Sequence, residues 1–405
     1  MYRKKQINAL IFGTLTMLLI GVNPTWSVFS NALVTEYGWT YSQATLPYTI
    51  SGFGYAAGVF LFGIYYHKHG PKKTVLIGGL LTGASLVLSS YFFSPVPVAF
   101  LYGVLYGMGV GAAYTAAITP MLKWTPGKKR SMASAFATIG FGLSSVFLSI
   151  IFSAMIPALT VPVTLRTAGF VLGPLVMVMM FFVSDPPAEF LAECEPVPSE
   201  DNGEVRTGDR SLKEALHTKT FYFLFLLFVF ATAATSVILS SVTNIVAMQS
   251  DLSNTFIFAS LATIGNLAGR MIAGYLGTKF DGRKILAILF TVLSVIMFTF
   301  CFYHSFFPLA VATVLTASGF GAEMTLFPIL ITESFGVTWY SEIYGTIVAL
   351  GSIYTLAGPT LAGKIADLTG SSTPALIMCG SYLAVAVILM LLLPKRKTKL
   401  PGGTL

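Results

Sequence analysis

The chain has 405 residues, of which 55% are hydrophobic and only 10% are charged, and its mean hydropathy is +0.78. Because a soluble domain carries about a quarter charged residues, this composition excludes an ordinary soluble protein. The net charge of +8 does not indicate a nucleic-acid partner, since the basic residues form short clusters between long uncharged stretches, as in proteins that cross the lipid bilayer.

Twelve apolar segments are predicted to span the membrane, because a membrane helix needs about 20 predominantly apolar residues. In chain order, segments 1 to 12 are residues 8–32, 42–66, 74–93, 98–122, 131–155, 164–183, 220–245, 255–278, 284–303, 308–332, 342–363 and 374–394. Segment 1 follows a short basic stretch, as a signal peptide does. No small-residue cleavage site closes it, so an uncleaved first helix is expected.

The basic residues predict the orientation of the chain. Most of the 24 lysines and arginines lie in the stretches on the same side of the membrane as the N-terminus. Loops with an excess of Lys and Arg stay in the cytoplasm, so both termini are predicted to be cytoplasmic. The predicted parts of the chain are a six-segment bundle at 1–183, a cytoplasmic linker at 184–219, a second six-segment bundle at 220–395 and a tail at 396–405.

The linker has two predicted parts. Its first part is rich in Glu, Pro and Gly, a composition that favours a mobile linker. Its end has the capping-box pattern, with Ser211 followed three residues later by Glu214, which predicts a short surface helix before segment 7.

An internal repeat relates the two bundles. Three glycines of segment 2 recur at the same spacing in segment 8, and each set leads into a basic loop. The two sets are Gly54, Gly58 and Gly63, and Gly265, Gly269 and Gly274. Glycines four residues apart let membrane helices approach closely. The repeat predicts two related bundles that rock around a central site, a common architecture of secondary transporters.

The loop after segment 2 reads Gly63-Ile-Tyr-Tyr-His-Lys-His-Gly-Pro-Lys-Lys73. It resembles the loop 2–3 signature of the major facilitator superfamily, which has a glycine, an acid, a basic residue, a glycine and two basic residues. The resemblance implies an all-α membrane fold of twelve helices in two bundles. The residues that match the conformational motif are Gly63, His67, Lys68, Gly70, Lys72 and Lys73. His67 departs from the family's usual aspartate, so the family's charge clasp with a helix terminus is not expected in its usual form.

Five further stretches resemble a narrower group, the oxalate/formate antiporter family and the related monocarboxylate transporters. They are Gly21-Val-Asn-Pro-Thr-Trp-Ser-Val-Phe29, Gly38-Trp-Thr-Tyr-Ser-Gln43, Trp124-Thr-Pro-Gly-Lys-Lys-Arg-Ser-Met-Ala133, Phe335-Gly-Val-Thr-Trp-Tyr-Ser-Glu-Ile-Tyr-Gly345 and Gly358-Pro-Thr-Leu-Ala-Gly363. Together they cover nearly the whole chain in the expected order. The resemblance implies a transporter of small carboxylates.

Segment 8 contains one charged residue in its interior, Arg270. A guanidinium at mid-membrane costs about 2.5–3.5 kcal/mol on insertion scales, and such charges line a pathway or pair internally. Its planar fork suits a carboxylate, and in the resembling family an arginine at this position holds the substrate carboxylate. Two interpretations stay open: Arg270 binds substrate, or it forms a permanent ion pair with Glu323, which lies deep in segment 10.

Other residues are predicted to complete the substrate site. They are Tyr114 in segment 4, Asn23 before a proline in segment 1, Asn266 one turn before Arg270, Glu323, and Phe327 one turn after Glu323. The resemblance implies a substrate contact for Tyr114 and an aromatic lining for Phe327. Hydrogen bonding between helices is the alternative for Tyr114. For Ser240, Ser241 and Asn244 of segment 7, the sequence does not decide between a cavity and helix packing.

Two departures from the family predict the substrate and the coupling. Oxalate carriers have a lysine in segment 11 where this chain has Leu350, so a single fixed cation predicts a monocarboxylate of the lactate or pyruvate type. Proton-coupled relatives have an aspartate where this chain has Asn266, which cannot carry a proton. Glu323 is the candidate replacement. Proton coupling is the favoured interpretation, and anion exchange of the oxalate/formate type is the alternative.

No enzyme constellation, metal-ligand spacing or Walker-type phosphate loop is present in the sequence. We therefore expect no catalytic residue, metal, cofactor or direct use of ATP. The expected partners are a small monocarboxylate anion, a proton or counter-anion, and the lipid bilayer of the cell membrane, with the protein a monomer. Cys194, Cys301 and Cys379 are expected to be packing residues. A non-transporting carboxylate sensor that signals through residues 184–219 is the alternative from a different function class.

Overall fold

The computed structural model describes residues 2–22, 25–194, 209–250, 252, 255 and 257–393, with side chains except at 192–194 and 353–357. These residues form helices and turns without a β-strand, which confirms the predicted all-α class. Their α-helices are α1 Tyr2–Leu19, α2 Trp26–Tyr37, α3 Tyr41–Tyr91, α4 Pro95–Phe100, α5 Gly107–Lys123, α6 Arg130–Leu159, α7 Val161–Phe181, α8 Ala188–Cys194, α9 Leu212–Leu216, α10 Lys219–Gln249, α11 Ile257–Lys279, α12 Gly282–Thr299, α13 Phe306–Phe335, α14 Tyr340–Thr369 and α15 Thr373–Leu392.

Nine helical stretches within the described residues are long and apolar enough to cross a membrane. One of them, α3, has 51 residues, which at about 1.5 Å per residue exceeds twice the hydrocarbon thickness of roughly 30 Å. The helix turns back at Gly70, whose φ of 74° and ψ of −178° are not helical. Glycine adopts this conformation without a Cβ clash. Predicted segments 2 and 3 therefore both lie in α3, on the two sides of Gly70.

Predicted segment 1 is not one continuous helix. Helix α1 ends at Leu19 and α2 begins at Trp26. Tyr106 lies in a short π-helical stretch, and its hydroxyl donates to the Ile20 carbonyl at 2.8 Å and accepts from the Val22 N–H at 3.2 Å. Backbone groups within a membrane need internal partners, so this hydroxyl stabilises a break that the apolar pattern did not predict.

We call α1–α7 the first half of the chain and α10–α15 the second half. In the first half α3 packs on α5 and α7, and in the second half α11 packs on α13 and α12 on α15. The basic end is our name for the end of the bundle that carries residues 67–73, 123–130 and 279–284. The hydrogen bonds and ring contacts that join the halves in the described part of the chain lie between the middle of the bundle and this end.

The repeated glycines have equivalent positions in the two halves. A Cβ at Gly58 would meet the backbone of Met108 on α5, and a Cβ at Gly269 would meet the backbone of Ser318 on α13. The third glycine of each set instead faces the other half. Gly63 lies against Ser341 of α14, and Gly274 lies against Ala135 of α6. The first two glycines of each set thus pack within one half, and the third packs between the halves.

Gly269→Val is expected to destabilise the protein, because any side chain at this position meets the Ser318 Cα and carbonyl carbon at 2.7 Å. Overpacking of this kind costs about 1–3 kcal/mol. The melting temperature in detergent measures the effect. Gly363→Val is the matched control, since no heavy atom lies within 4 Å of a Cβ at Gly363. Equal melting temperatures of the two variants would contradict the close approach of α11 to α13.

Two short helices lie between the halves. Helix α8 follows the first half, and α9 precedes α10. Ser211 and Glu214 form the reciprocal hydrogen bonds of a capping box at the start of α9, at 2.9 and 3.3 Å. The predicted linker residues 195–208 and tail residues 394–405 lie outside the described residues.

Candidate functional site

Arg270 lies on the face of α11 that meets α6 of the first half. Its side chain is 5% exposed. Gly142 of α6 lies beside it, since a Cβ at Gly142 would be in ordinary contact with the arginine, 3.5 Å from Nε and 3.8 Å from Cδ. The guanidinium therefore lies where α11 of one half meets α6 of the other.

Two hydrogen bonds orient the guanidinium. Its Nε donates to Oδ1 of Asn266 at 3.1 Å, and its Nη1 donates to the Thr138 carbonyl at 2.8 Å. Asn266 belongs to the same helix one turn earlier, whereas Thr138 belongs to α6 of the other half. A guanidinium has five N–H donors, so three remain for a ligand after the contacts within the described residues.

Three tyrosines, the tyrosine cluster, surround the guanidinium: Tyr55 of α3, Tyr114 of α5 and Tyr344 of α14. All three lie close enough to Arg270 to interact electrostatically with it. The rings of Tyr55 and Tyr114 meet edge to face with centroids 5.7 Å apart, and the hydroxyls of Tyr114 and Tyr344 are 3.3 Å apart. Because Tyr344 is on the second half, this hydroxyl contact joins the halves.

The site combines one fixed positive charge with phenol hydroxyls in a buried setting. Phe141 of α6 adds an apolar wall, with its ring centroid 6.1 Å from that of Tyr114. Such an arrangement suits a small anion with one charged end and a short apolar or hydroxylated remainder. Tyr55 and Tyr344 were not among the predicted site residues. Small neighbours flank Tyr55 in Gly54-Tyr-Ala-Ala-Gly58, as they flank Tyr114, and this signal was available in the sequence.

Glu323 is buried apart from Arg270. Its side chain is 1% exposed, and its carboxylate accepts hydrogen bonds from Thr232 at 2.5 Å and from Thr235 at 3.4 Å, both on α10. No ion pair joins Glu323 to Arg270 in the part of the chain that the structure describes. The permanent ion pair considered from the sequence is therefore not found. Direct competition between Glu323 and a bound substrate for the Arg270 guanidinium is not supported either, because the described partners of the Glu323 carboxylate are Thr232 and Thr235.

The remaining predicted site residues lie in different places. Phe327 is buried, and its ring centroid lies 4.9 Å from that of Phe228 on α10 of the same half. Leu350 of α14 is 48% exposed. Asn23 lies outside the described residues.

A separate cavity of about 350 Å³ lies between α10, α14 and α15 at the end opposite the basic end. Ser241 and Asn244 are among its lining residues. Ser240 hydrogen bonds to the neighbouring Ser241 at 3.2 Å. The cavity belongs to the second half alone, away from the tyrosine cluster.

The residues of the loop motif lie at the basic end, next to the contact between α3 and α14. Gly63 accepts a hydrogen bond from Ser341 Oγ at 3.1 Å, and the ring of His67 stacks on that of Trp339. Lys72 lies over the Phe181 ring at 4.8 Å, while Lys68 and Lys73 are exposed. Gly70 provides the turn described above.

The comparisons with known proteins agree with this architecture. The family model of the Major Facilitator Superfamily matches residues 10–259 and 221–404. The solved structure of FucP in the outward conformation is similar to this chain with a TM-score of 0.73 at 14% identity, and covers 96% of this chain and 100% of its own. The human organic anion transporter MFSD10 gives a TM-score of 0.68 at 15% identity, over 96% of this chain and 99% of its own.

Curated relatives have low identity but extensive coverage. The oxalate:formate antiporter of Oxalobacter formigenes is 25% identical over 393 residues, which cover 93% of this chain and 89% of that protein. An uncharacterised transporter of Escherichia coli, YhjX, is 25% identical over 87% of each chain. Human monocarboxylate transporter 12 is 25% identical over 80% of this chain and 69% of its own. The similarity to the predicted group is therefore confirmed.

Proposed function

The chain belongs to the Major Facilitator Superfamily, and we propose that this multi-pass protein of the cell membrane carries one small monocarboxylate per cycle by alternating access. The observation that carries the proposal is the guanidinium of Arg270, which is held between the two halves with three N–H groups to spare. Carboxylate carriers among its relatives support the choice of an anion.

The proposed topology has twelve membrane helices in bundles at 1–183 and 220–395, joined by a linker at 184–219, with both termini in the cytoplasm. The basic end is then the cytoplasmic end, in agreement with the tendency of basic loops to stay inside. Because the contacts between the halves lie toward that end, the structure corresponds to a carrier closed to the cytoplasm. Substrate then enters from the outside.

In this mechanism the substrate carboxylate binds the free N–H groups of Arg270, and Tyr114 contacts the substrate with its hydroxyl. Asn266 orients the guanidinium, because its Oδ1 accepts the hydrogen bond from Nε of Arg270. When the halves rock, the bonds that join them have to change, and these include the Arg270 contact with Thr138 and the contact between Tyr114 and Tyr344. The substrate site and the moving interface therefore share residues, as alternating access requires.

We further propose that transport is coupled to protons, with Glu323 as the proton carrier. An ionised carboxylate in the membrane interior is costly without a cation, and the described partners of Glu323 are two threonine hydroxyls. Protonation can then affect the packing of α13 on α10 without direct competition for Arg270. Exchange of carboxylate anions is the alternative, supported by the similarity to the oxalate:formate antiporter.

Uptake by proteoliposomes tests the proposed function. Labelled lactate, pyruvate and acetate are each expected to accumulate, and unlabelled monocarboxylates are expected to compete better than oxalate, because one guanidinium binds one carboxylate. Liposomes without protein are the control. Stronger competition by oxalate than by any monocarboxylate would favour the exchanger, and no uptake of any of these acids would reject the proposal.

A further inference from the structure

An aromatic contact joins the two halves at the basic end. The imidazole ring of His67 lies on the indole ring of Trp339 with centroids 3.8 Å apart and an interplanar angle of 19°. His67 is on α3 of the first half, and Trp339 is in the turn between α13 and α14 of the second half. We call this pair of rings the aromatic latch.

The latch lies beside a close crossing of α3 and α14. Ser341 Oγ donates to the Gly63 carbonyl at 3.1 Å, and a Cβ at Gly345 would lie 2.6 Å from the Val59 carbonyl oxygen. The two backbones are in contact here. This crossing has to open before a solute can leave at the basic end, so a contact that holds it closed affects the rate of opening.

Asp185 holds the latch from the side of the first half. Its carboxylate accepts a hydrogen bond from Lys123 Nζ at 2.8 Å and another from the Tyr66 hydroxyl at 2.5 Å. Tyr66 immediately precedes His67, and the Lys123 side chain is only 9% exposed. Asp185 thus neutralises the largely buried ammonium of Lys123. It also fixes the side chain of Tyr66, the residue next to His67 in the sequence.

The acid that the loop motif lacks has a counterpart nearby in Asp185. The motif has histidine where an acid is usual, and the acid of this region comes instead from the segment after α7. Asp185 lies close enough to His67 to interact with it electrostatically. Lys123 interacts with His67 more strongly than Asp185 does, so the charge of Asp185 does not by itself exclude an acid at position 67. What histidine adds is a flat ring that stacks on Trp339.

Asp209 holds the latch from the side of the second half. Its carboxylate accepts hydrogen bonds from Thr338, through the hydroxyl and, at 3.4 Å, the backbone N–H. The next residue, Arg210, donates its backbone N–H to the Phe335 carbonyl at 2.9 Å, at the end of α13. Since Thr338 immediately precedes Trp339, these bonds fix the turn that presents the indole.

We propose that the aromatic latch, held on its two sides by Asp185 and Asp209, keeps the carrier closed to the cytoplasm and sets how often that side opens. This inference rests on the proposed transport function and topology. Neither ring lies in the substrate site, so His67 and Trp339 are positioning residues. Asp185 follows the last helix of the first half, and Asp209 precedes the first helix of the second half. Both residues contact the neighbours of the latch, so the connection between the halves is linked to the opening step.

A cysteine reporter at the interface tests the proposal. Ser131 of α6 is 2% exposed and packs against Gly277 of the second half, so Ser131→Cys is accessible only when the halves separate. The three native cysteines are replaced by alanine. A membrane-impermeant maleimide is added to inside-out vesicles, and the labelling rate is measured. His67→Ala is expected to raise this rate roughly 2- to 12-fold, the range for loss of one aromatic pair.

Matched variants separate the latch from general damage. His67→Phe keeps a flat ring but loses the hydrogen bond between the imidazole and the Thr338 backbone, so it is expected to label more slowly than His67→Ala. His69→Ala is the control, because His69 stacks on Tyr65 of the same half, at 4.0 Å and 17°. Asp185→Asn and Asp209→Asn are expected to raise the rate as well, while Glu189→Gln, an exposed acid on the same segment as Asp185, is expected to leave it unchanged.

The labelling assay needs no substrate, so its outcome is independent of the transport assay. Faster labelling of His67→Ala than of His67→Phe, with a parental rate for His69→Ala, supports the latch even if no monocarboxylate is taken up. Parental labelling of His67→Ala overturns it even if uptake is normal. If His67→Ala does not fold, as judged by a melting curve in detergent, Asp209→Asn decides by the same criterion.

Discussion

Arg270→Lys is expected to reduce uptake of monocarboxylate roughly 10- to 150-fold while the protein still folds. Lysine keeps the positive charge but loses the planar fork that holds Asn266, the Thr138 carbonyl and a carboxylate at the same time. Loss of a hydrogen bond to a charged group costs about 1.5–3 kcal/mol, which corresponds to that range of rates. Initial uptake rates in proteoliposomes measure the effect, and melting curves in detergent check the fold.

Arg166→Lys is the matched control for this experiment. Arg166 lies on α7, donates from Nε to Ser90 Oγ at 3.2 Å and stacks over the Tyr91 ring at 4.2 Å. Like Arg270, it is an arginine with aromatic neighbours, but it lies away from the tyrosine cluster. Near-normal uptake is expected for this control. Near-normal uptake by Arg270→Lys would show that a point charge suffices and would reject the carboxylate clamp.

Glu323→Gln is expected to abolish the acceleration of uptake by an inward-directed proton gradient, while exchange of internal for external substrate continues. Glutamine has nearly the shape of the protonated carboxyl and can still hydrogen bond to Thr232 and Thr235, but it cannot release a proton. Net uptake therefore no longer responds to the gradient. Exchange does not need the proton to leave, so it persists.

Two measurements on the same proteoliposomes test this expectation. Uptake is compared with and without acidification of the outer solution, and counterflow of labelled substrate reports exchange. Glu36→Gln is the control, because Glu36 is an exposed acid at the end of α2 and is expected to leave both measurements unchanged. If Glu323→Gln keeps its response to the gradient, Glu323 is not the proton carrier and anion exchange becomes the better account.

The sequence predicted those features of the site that depend on one helix. Asn266 and Arg270 are four residues apart, and residues at this spacing lie on the same face of any α-helix, so their hydrogen bond follows from local geometry. The glycine repeat likewise predicted close helix contacts, because the absence of a side chain is visible in the sequence. The absence of charged residues over long stretches likewise indicated a membrane protein, because it too is visible in the sequence.

Partners on other helices could not be predicted in this way. The sequence places Arg270 and Glu323 both deep in their segments, which suggested an ion pair. The structure directs the carboxylate to Thr232 on α10 and the guanidinium to Thr138 on α6. Depth along a helix follows from residue number, but the direction of a side chain relative to other helices depends on how those helices pack.

The surroundings of His67 in the loop motif show the same difference between what the sequence determines and what depends on helix packing. The sequence by itself determined that His67 could not form the usual charge clasp, because an imidazole is not a carboxylate. Only the tertiary structure decided that Asp185, more than a hundred residues later in the chain, neutralises Lys123 beside it and that Trp339 receives the ring. Residue type and periodicity are local properties, whereas the proximity of distant segments arises only when the helices pack together.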